Sequence, residues 1–339
     1  MTSRYLPRLI AFAIVALPHL AFAQIIKVDG SSTVYPVTEA VAEEFQTTHK
    51  NKFKVTVGIS GTGGGFKKFV RGETDVQNAS RPILAEEMAQ ARSNGVEFIE
   101  LPICFDALTV AVHPQNNWVD SIKVSELKKL WEPAAQGKIT RWNQIRASWP
   151  DQPIKLYGAG SDSGTFDYFT EAITGKAKAS RGDYTGSEDD NVLVQGIEGD
   201  RYSLGYLPYA YFAPHAKRMK SVGIEWDVDS HSGKAIGKSA VKPTLEAVVA
   251  GTYNPLSRPL FIYVNRKAAD TKPEVKQFVE FYLKNAAELS KEVKYLPLPV
   301  EAYAMAQKRF ANRETGTGFG GEPAIGLPVR AILERKPVN

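Results

Sequence analysis

The stretch GISGTGGGFKKF, Gly58 to Phe69, restricts the fold more than any other in this chain. Ahead of it Phe53, Val55 and Val57 alternate with Lys52, Lys54 and Thr56, the period of two that a strand with one buried face requires. Behind it Phe66, Phe69 and Val70 recur at helical spacing, with Thr62 as the expected N-cap and Gly63 to Gly65 leaving the first turn bare. A strand therefore turns sharply into a helix whose first amides are uncovered. Those amides and the positive end of the helix dipole favour an anion, whereas close packing of the chain is the other use of such glycines.

The pattern recurs along the sequence. Ile25 to Asp29 reads as a strand and runs into Gly30-Ser31-Ser32-Thr33, after which Val34, Val37, Val41 and Phe45 mark a helix with Pro36 in its first turn. Ser80-Arg81-Pro82 precedes a helical run of Leu84, Met88 and Ala91, stopped by Asn94-Gly95. Pro82 favours an extended Arg81, whose guanidinium is then placed beside Ser80 as a fork for an oxyanion. Farther on, GAGSDSGT (residues 158–165) opens a helix with Phe166, Phe169 and Ile173 on one side and Gly175 at its end. Capping explains one hydroxyl in one turn. Four such turns suit a small tetrahedral oxyanion, held by amides, hydroxyls and one guanidinium in place of its hydration shell. A fifth polar stretch, Arg181 to Asn191, reads as a solvated loop with Arg181 as a reserve cation.

At 339 residues the chain has room for two domains. Residues 1–23 read as a secretory leader: Arg4 and Arg8 precede the apolar run Leu9 to Leu17, and Ala21-Phe22-Ala23 is a small-residue cleavage site. Its loss removes two arginines and no acid, which lowers the formal charge from +5 to +3. The remaining Lys and Arg are dispersed, which argues against a nucleic-acid surface. No later window reaches the about 18–20 apolar residues of a membrane helix. The one cysteine, Cys104, lies in the apolar run LPICFDALTVAV and reads as a buried thiol. That run and LSRPLFIYV, Leu256 to Val264, are long enough to cross between domains. They suggest a discontinuous first domain, 24–108 plus 259–339, interrupted by a second at 109–258.

The motifs DGSSTVYPV, GTGGGFKKFVRGETDVQNASRPI, SDSGTFDYF and the closing GFGGEPAIGL, in this order and spacing, resemble the periplasmic phosphate-binding subunit of the bacterial ABC phosphate importer. The resemblance implies an α/β, two-domain type II periplasmic-binding-protein fold with two crossing hinge strands. It also implies a periplasmic monomer that binds inorganic phosphate without cofactor or metal and delivers it to the membrane subunits of an ABC permease. The family's ligand positions fall on Ser32, Thr33, Thr62, Ser80 with Arg81, and Ser163, Gly164 and Thr165. Two departures stand out: some members carry an aspartate acceptor where this chain has Ser80, and an arginine near Ala159. Asp162, beside Ser163, is the expected acceptor for a protonated phosphate, with capping as its other use and Asp75 and Asp189 next in order. Enzyme signatures fit poorly. The glycine-rich turn lacks the Lys-Ser/Thr of a phosphate-binding loop, G-x-S-x-G would need serine where Asp162 stands, and the histidines have no metal-ligand spacing. An exported phosphohydrolase with a Ser or Thr nucleophile and an oxyanion sensor on the same fold are the competing functions.

Overall fold

The computed structural model describes residues 24–321, 325–326, 335–336 and 338. The expected leader and part of the closing GFGGEPAIGL motif lie outside the described residues. Strands β1 (Gln24–Gly30), β2 (Phe53–Val57), β3 (Val76–Ala79), β4 (Phe98–Val112), β5 (Lys155–Ala159), β6 (Thr185–Ser187), β7 (Ser203–Pro208) and β8 (Ser257–Asn265) form the path of the main sheet. Their order is β2-β1-β3-β8-β4-β7-β5-β6.

At one end β1 lies parallel between β2 and β3; at the other β5 lies parallel between β7 and β6. Parallel neighbours need crossover helices. In the first half α1 (Tyr35–Thr48) and α2 (Gly61–Phe69) follow β1 and β2, and α3 (Ala85–Ser93) follows β3 on the way to β4; in the second, α4 (Gly164–Thr174) and α5 (Asp190–Gly199) follow β5 and β6. All five helices therefore begin at the carboxyl ends of strands, where open α/β sheets bind ligands.

Two antiparallel strands join the halves. β4 pairs with β8 from Phe98 to Ala107 and with β7 from Leu108 to Val112, so one continuous strand belongs to both. Every residue of β4 is buried, which accounts for its unbroken apolar reading in place of alternation. The chain is thus an α/β protein of the type II periplasmic-binding-protein architecture, with β4 and β8 as the crossing strands.

The helical stripes read from the sequence face the core. Val34, Val37, Val41 and Phe45 are fully buried, and Phe45 meets Phe278 edge-on at 5.4 Å on the helix α6 (Pro273–Glu292). Phe169 of α4 stacks on Tyr206 at 3.8 Å. Two local readings need correction. Ser60, not Thr62, precedes α2, so Thr62 lies inside the first turn. In the helix Val300–Ala311, Val300 is 80% exposed and Ala304 also faces water, while Ala302, Tyr303, Ala306 and Phe310 are buried. Helix formation begins directly after Pro299, which places Val300 on the outer side of the first turn.

Candidate functional site

The strand-to-helix turns converge where the halves meet. Thr33, at the entrance to α1, and Thr165, in the first turn of α4, place their Oγ1 atoms 2.9 Å apart. Thr62 Oγ1 is 3.1 Å from Ser80 Oγ and accepts the Ser80 amide at 3.1 Å. Gly164 closes the ring: an added Cβ would fall 2.4 Å from Thr62 Oγ1 and 2.5 Å from Ser80 Oγ. Only glycine lets the N-terminus of α4 approach α2 so closely. Ser32, Thr33, Thr62, Ser80, Ser163 and Thr165 are all buried, Ser163 using its hydroxyl to accept the Thr165 amide as N-cap. Thr33, Thr62, Ser80 and Thr165 with Gly164 thus form one cluster drawn from both halves, and Ser32 and Ser163 are buried next to it in sequence.

The cation of this cluster is Arg258, on β8. Its guanidinium is fully buried and donates to Thr165 Oγ1 at 2.8 Å, Thr33 Oγ1 at 3.3 Å, and the carbonyls of Ser80 and Gly164 at 3.3 and 3.4 Å. Asp106 stands opposite it in the β4–β8 register and takes Nε at 3.1 Å and Nη2 at 2.9 Å. Burial raises the Asp106 pKa, and the adjacent guanidinium pulls it back. Such a pair brings a fork-shaped donor into the interior with its charge compensated. The sequence held a signal for it: one acid interrupts the apolar run Leu101 to Val112, and one base interrupts Leu256 to Val264.

Asp190, the first residue of α5, supplies an acceptor. It is buried, its Oδ2 has no hydrogen-bond partner among the described residues, and its carboxyl is pushed up to about 7 by burial, against a hydrogen bond from Ser32 and the field of Arg258. Asp106 and Asp189 raise it further. Because the unfolded value is lower, the folded protein takes up a proton on Asp190; that contribution to stability is present below the unfolded pKa and is lost as pH rises through about 7. Asp190→Asn is therefore expected to raise the melting temperature of the ligand-free protein at pH 8 and to leave it nearly unchanged at pH 4. A calorimetric shift equal at both pH values would contradict the assignment.

Several residues singled out from the sequence have other partners. Glu87 and Asp167 bind the Arg81 guanidinium, whose Nη2 lies 3.8 Å from where a Cβ on Gly63 would stand, and among the described residues it makes no hydrogen bond to the cluster hydroxyls. Burial works against its charge, but these two carboxylates more than offset that and raise its pKa. Asp162 is partly exposed, paired with Lys67 at 2.8 Å, and contributes its carbonyl to the Gly63 amide across the cleft. Arg181 is buried in a structural role, bound to Asp183 and to the carbonyls of Leu130 and Ile139. Asp75 accepts the Lys27 amide and pairs with Lys272, and Asp189 caps α5.

Among the described residues no helix is long and apolar enough to cross a membrane, and no group of three or more potential ligands could hold a metal ion.

Residues 19–286 match the model of the PBP superfamily domain. Protein SphX of Synechocystis sp. is 48% identical over 314 residues, 93% of this chain and 90% of that protein. The phosphate-binding protein PstS of Staphylococcus saprophyticus is 34% identical over 286 residues, 84% of this chain and 83% of that protein. Among solved structures, one described as a possible phosphate binding protein from Planctomyces limnophilus has 44% identity and a TM-score of 0.62, with 86% of this chain and 98% of that one covered. An ABC-type phosphate transport receptor from Vibrio cholerae, at 21% identity and a TM-score of 0.59 over 81% of this chain and all of that one, shares the fold. The chain belongs to the PBP superfamily, within the family of SphX and PstS proteins.

Proposed function

We propose that the protein binds one inorganic phosphate per monomer between its halves and delivers it unchanged to an ABC permease from the periplasm. The observation that carries this reading is Arg258, a buried guanidinium ringed by hydroxyls of both halves and compensated by Asp106. Around it, Thr33, Thr62, Ser80 and Thr165 with the first turns of α2 and α4 offer donors, and Ser32 and Ser163 are buried next to them in sequence. In this reading Arg258 takes the cationic role expected of Arg81, and Asp190 the acceptor role expected of Asp162. The units 24–108 plus 259–339 and 109–258 then close about β4 and β8, and ligand shifts the population by binding the closed form better.

Titration calorimetry of the mature protein with phosphate, sulfate, molybdate and arsenate tests this. One phosphate per monomer is expected, with a smaller radius of gyration in small-angle scattering on saturation. Failure to bind phosphate, or binding without contraction, would overturn it. One feature favours the hydrolase reading: Ser32 lies beside a carboxyl that titrates near neutrality, as a nucleophile and its base would. On the transport reading p-nitrophenyl phosphate stays intact; sustained release that Asp190→Asn abolishes would decide for the enzyme.

A further inference from the structure

We propose that the Arg81–Asp167 ion pair is an interdomain latch, which holds the halves of the cleft together and sets ligand affinity without touching the ligand. Arg81 follows β3 in the first half; Asp167 lies one turn into α4 of the second. Nε donates to Asp167 Oδ2 at 2.6 Å, while Nη1 and Nη2 form a fork on Glu87, each at 2.8 Å. Glu87 belongs to the first half, so opening breaks only the bond to Asp167 and leaves Arg81 aimed and compensated. The side chains of Arg81 and Asp167 are 5% and 2% exposed, out of reach of screening by solvent.

Asp167 itself points to a moving seam. Its carboxylate makes no hydrogen bond within its own half among the described residues, and Oδ1 is buried without a partner. Burial accordingly raises its pKa, against the pull of Arg81. An acid so placed loses hydration when the halves meet and regains it when they part, and Arg81 offsets that loss. The Gly63 amide crosses the same seam to the carbonyl of Asp162 at 2.8 Å. Neither contact uses the ring hydroxyls or Arg258. Bonds made only in the closed form raise its population, and the apparent dissociation constant falls in proportion, being the intrinsic constant divided by the competent fraction.

The closure claim stands on the seam alone, whereas the affinity claim rests on the phosphate reading above. Hydrogen exchange of the Gly63 amide in the ligand-free protein measures the first, and calorimetry with inorganic phosphate the second. In Asp167→Asn the Gly63 amide is expected to exchange about tenfold faster, with phosphate affinity weakened by a similar factor and the preference over sulfate retained. Arg81→Lys, which keeps the charge and one carboxylate partner, guards against a folding defect, as does the thermal melt of each variant; it should move both readouts in the same direction. Unchanged Gly63 exchange overturns the latch, whether or not phosphate binds. Tighter phosphate binding by Asp167→Asn also overturns it, because Arg81 would then be a ligand contact freed from its carboxylate. Faster Gly63 exchange in a protein that binds no phosphate would keep the latch and remove the ligand assignment.

Discussion

Replacing Arg258 with alanine is expected to weaken phosphate binding by about 3–5 kcal/mol, a factor of roughly 10² to 10⁴. Two losses combine. The fork that meets Thr33, Thr165 and the carbonyls of Ser80 and Gly164 disappears, and Asp106 is left buried without its counter-charge beside the proposed anion site. The second loss is the larger, since an uncompensated carboxylate repels the ligand across a medium with little screening. Arg258→Lys keeps the charge and loses the fork, so its affinity should fall between parent and alanine variant. Both variants need a melt to establish that they fold, because the Arg258–Asp106 pair also joins β4 to β8. A folded Arg258→Ala protein that binds phosphate within a few-fold of the parent would show that the cation lies elsewhere.

Substituting Asp190 by asparagine should collapse the preference for phosphate over sulfate by about 10- to 100-fold. Phosphate near neutral pH retains a proton to donate, and sulfate has none. At a pH above the value of about 7 to which its pKa is raised, the Asp190 carboxylate, with Oδ2 unpartnered, accepts that proton's hydrogen bond and repels the fully ionised anion. Asparagine brings an NH2 group that donates to sulfate as readily as to phosphate. Phosphate affinity should therefore fall and sulfate affinity rise, and both are read in one calorimetric series. Loss of phosphate affinity with undiminished selectivity would place the acceptor elsewhere.

Much of the fold was legible because each element is local. The alternation before Gly58, the stripe of Val34, Val37, Val41 and Phe45, and Gly175, which ends α4 with a φ of 82°, are set by neighbours a few residues apart. The hydroxyls were legible for the same reason. What escaped was pairing over distance. Arg81 stands beside Ser80 in the sequence, yet its partner Asp167 is 86 residues away, and nothing local marks the choice between an anion and a carboxylate. Arg258 and Asp106 were passed over as single charges within apolar runs. Their register, 152 residues apart, pairs them beneath the hydroxyl cluster. Glu188, Asp189 and Asp190 fall in a stretch that reads as a solvated loop, with Asp189 alone a further acceptor candidate, but the start of α5 sorts them: Glu188 accepts the Asp162 amide, Asp189 caps, and Asp190 turns inward.

The place of Arg258 on a crossing strand has a mechanical meaning. When two bodies rotate about an axis, displacement grows with distance from it, so a group on the axle hardly travels while groups on the jaws swing away. Thr33, Thr62 and Ser80 ride on one jaw and Thr165 on the other, whereas Arg258 and Asp106 sit on the axle itself. On the phosphate reading, the hydroxyls on the two jaws separate from one another as the cleft parts, while the guanidinium at the pivot stays aimed by its aspartate.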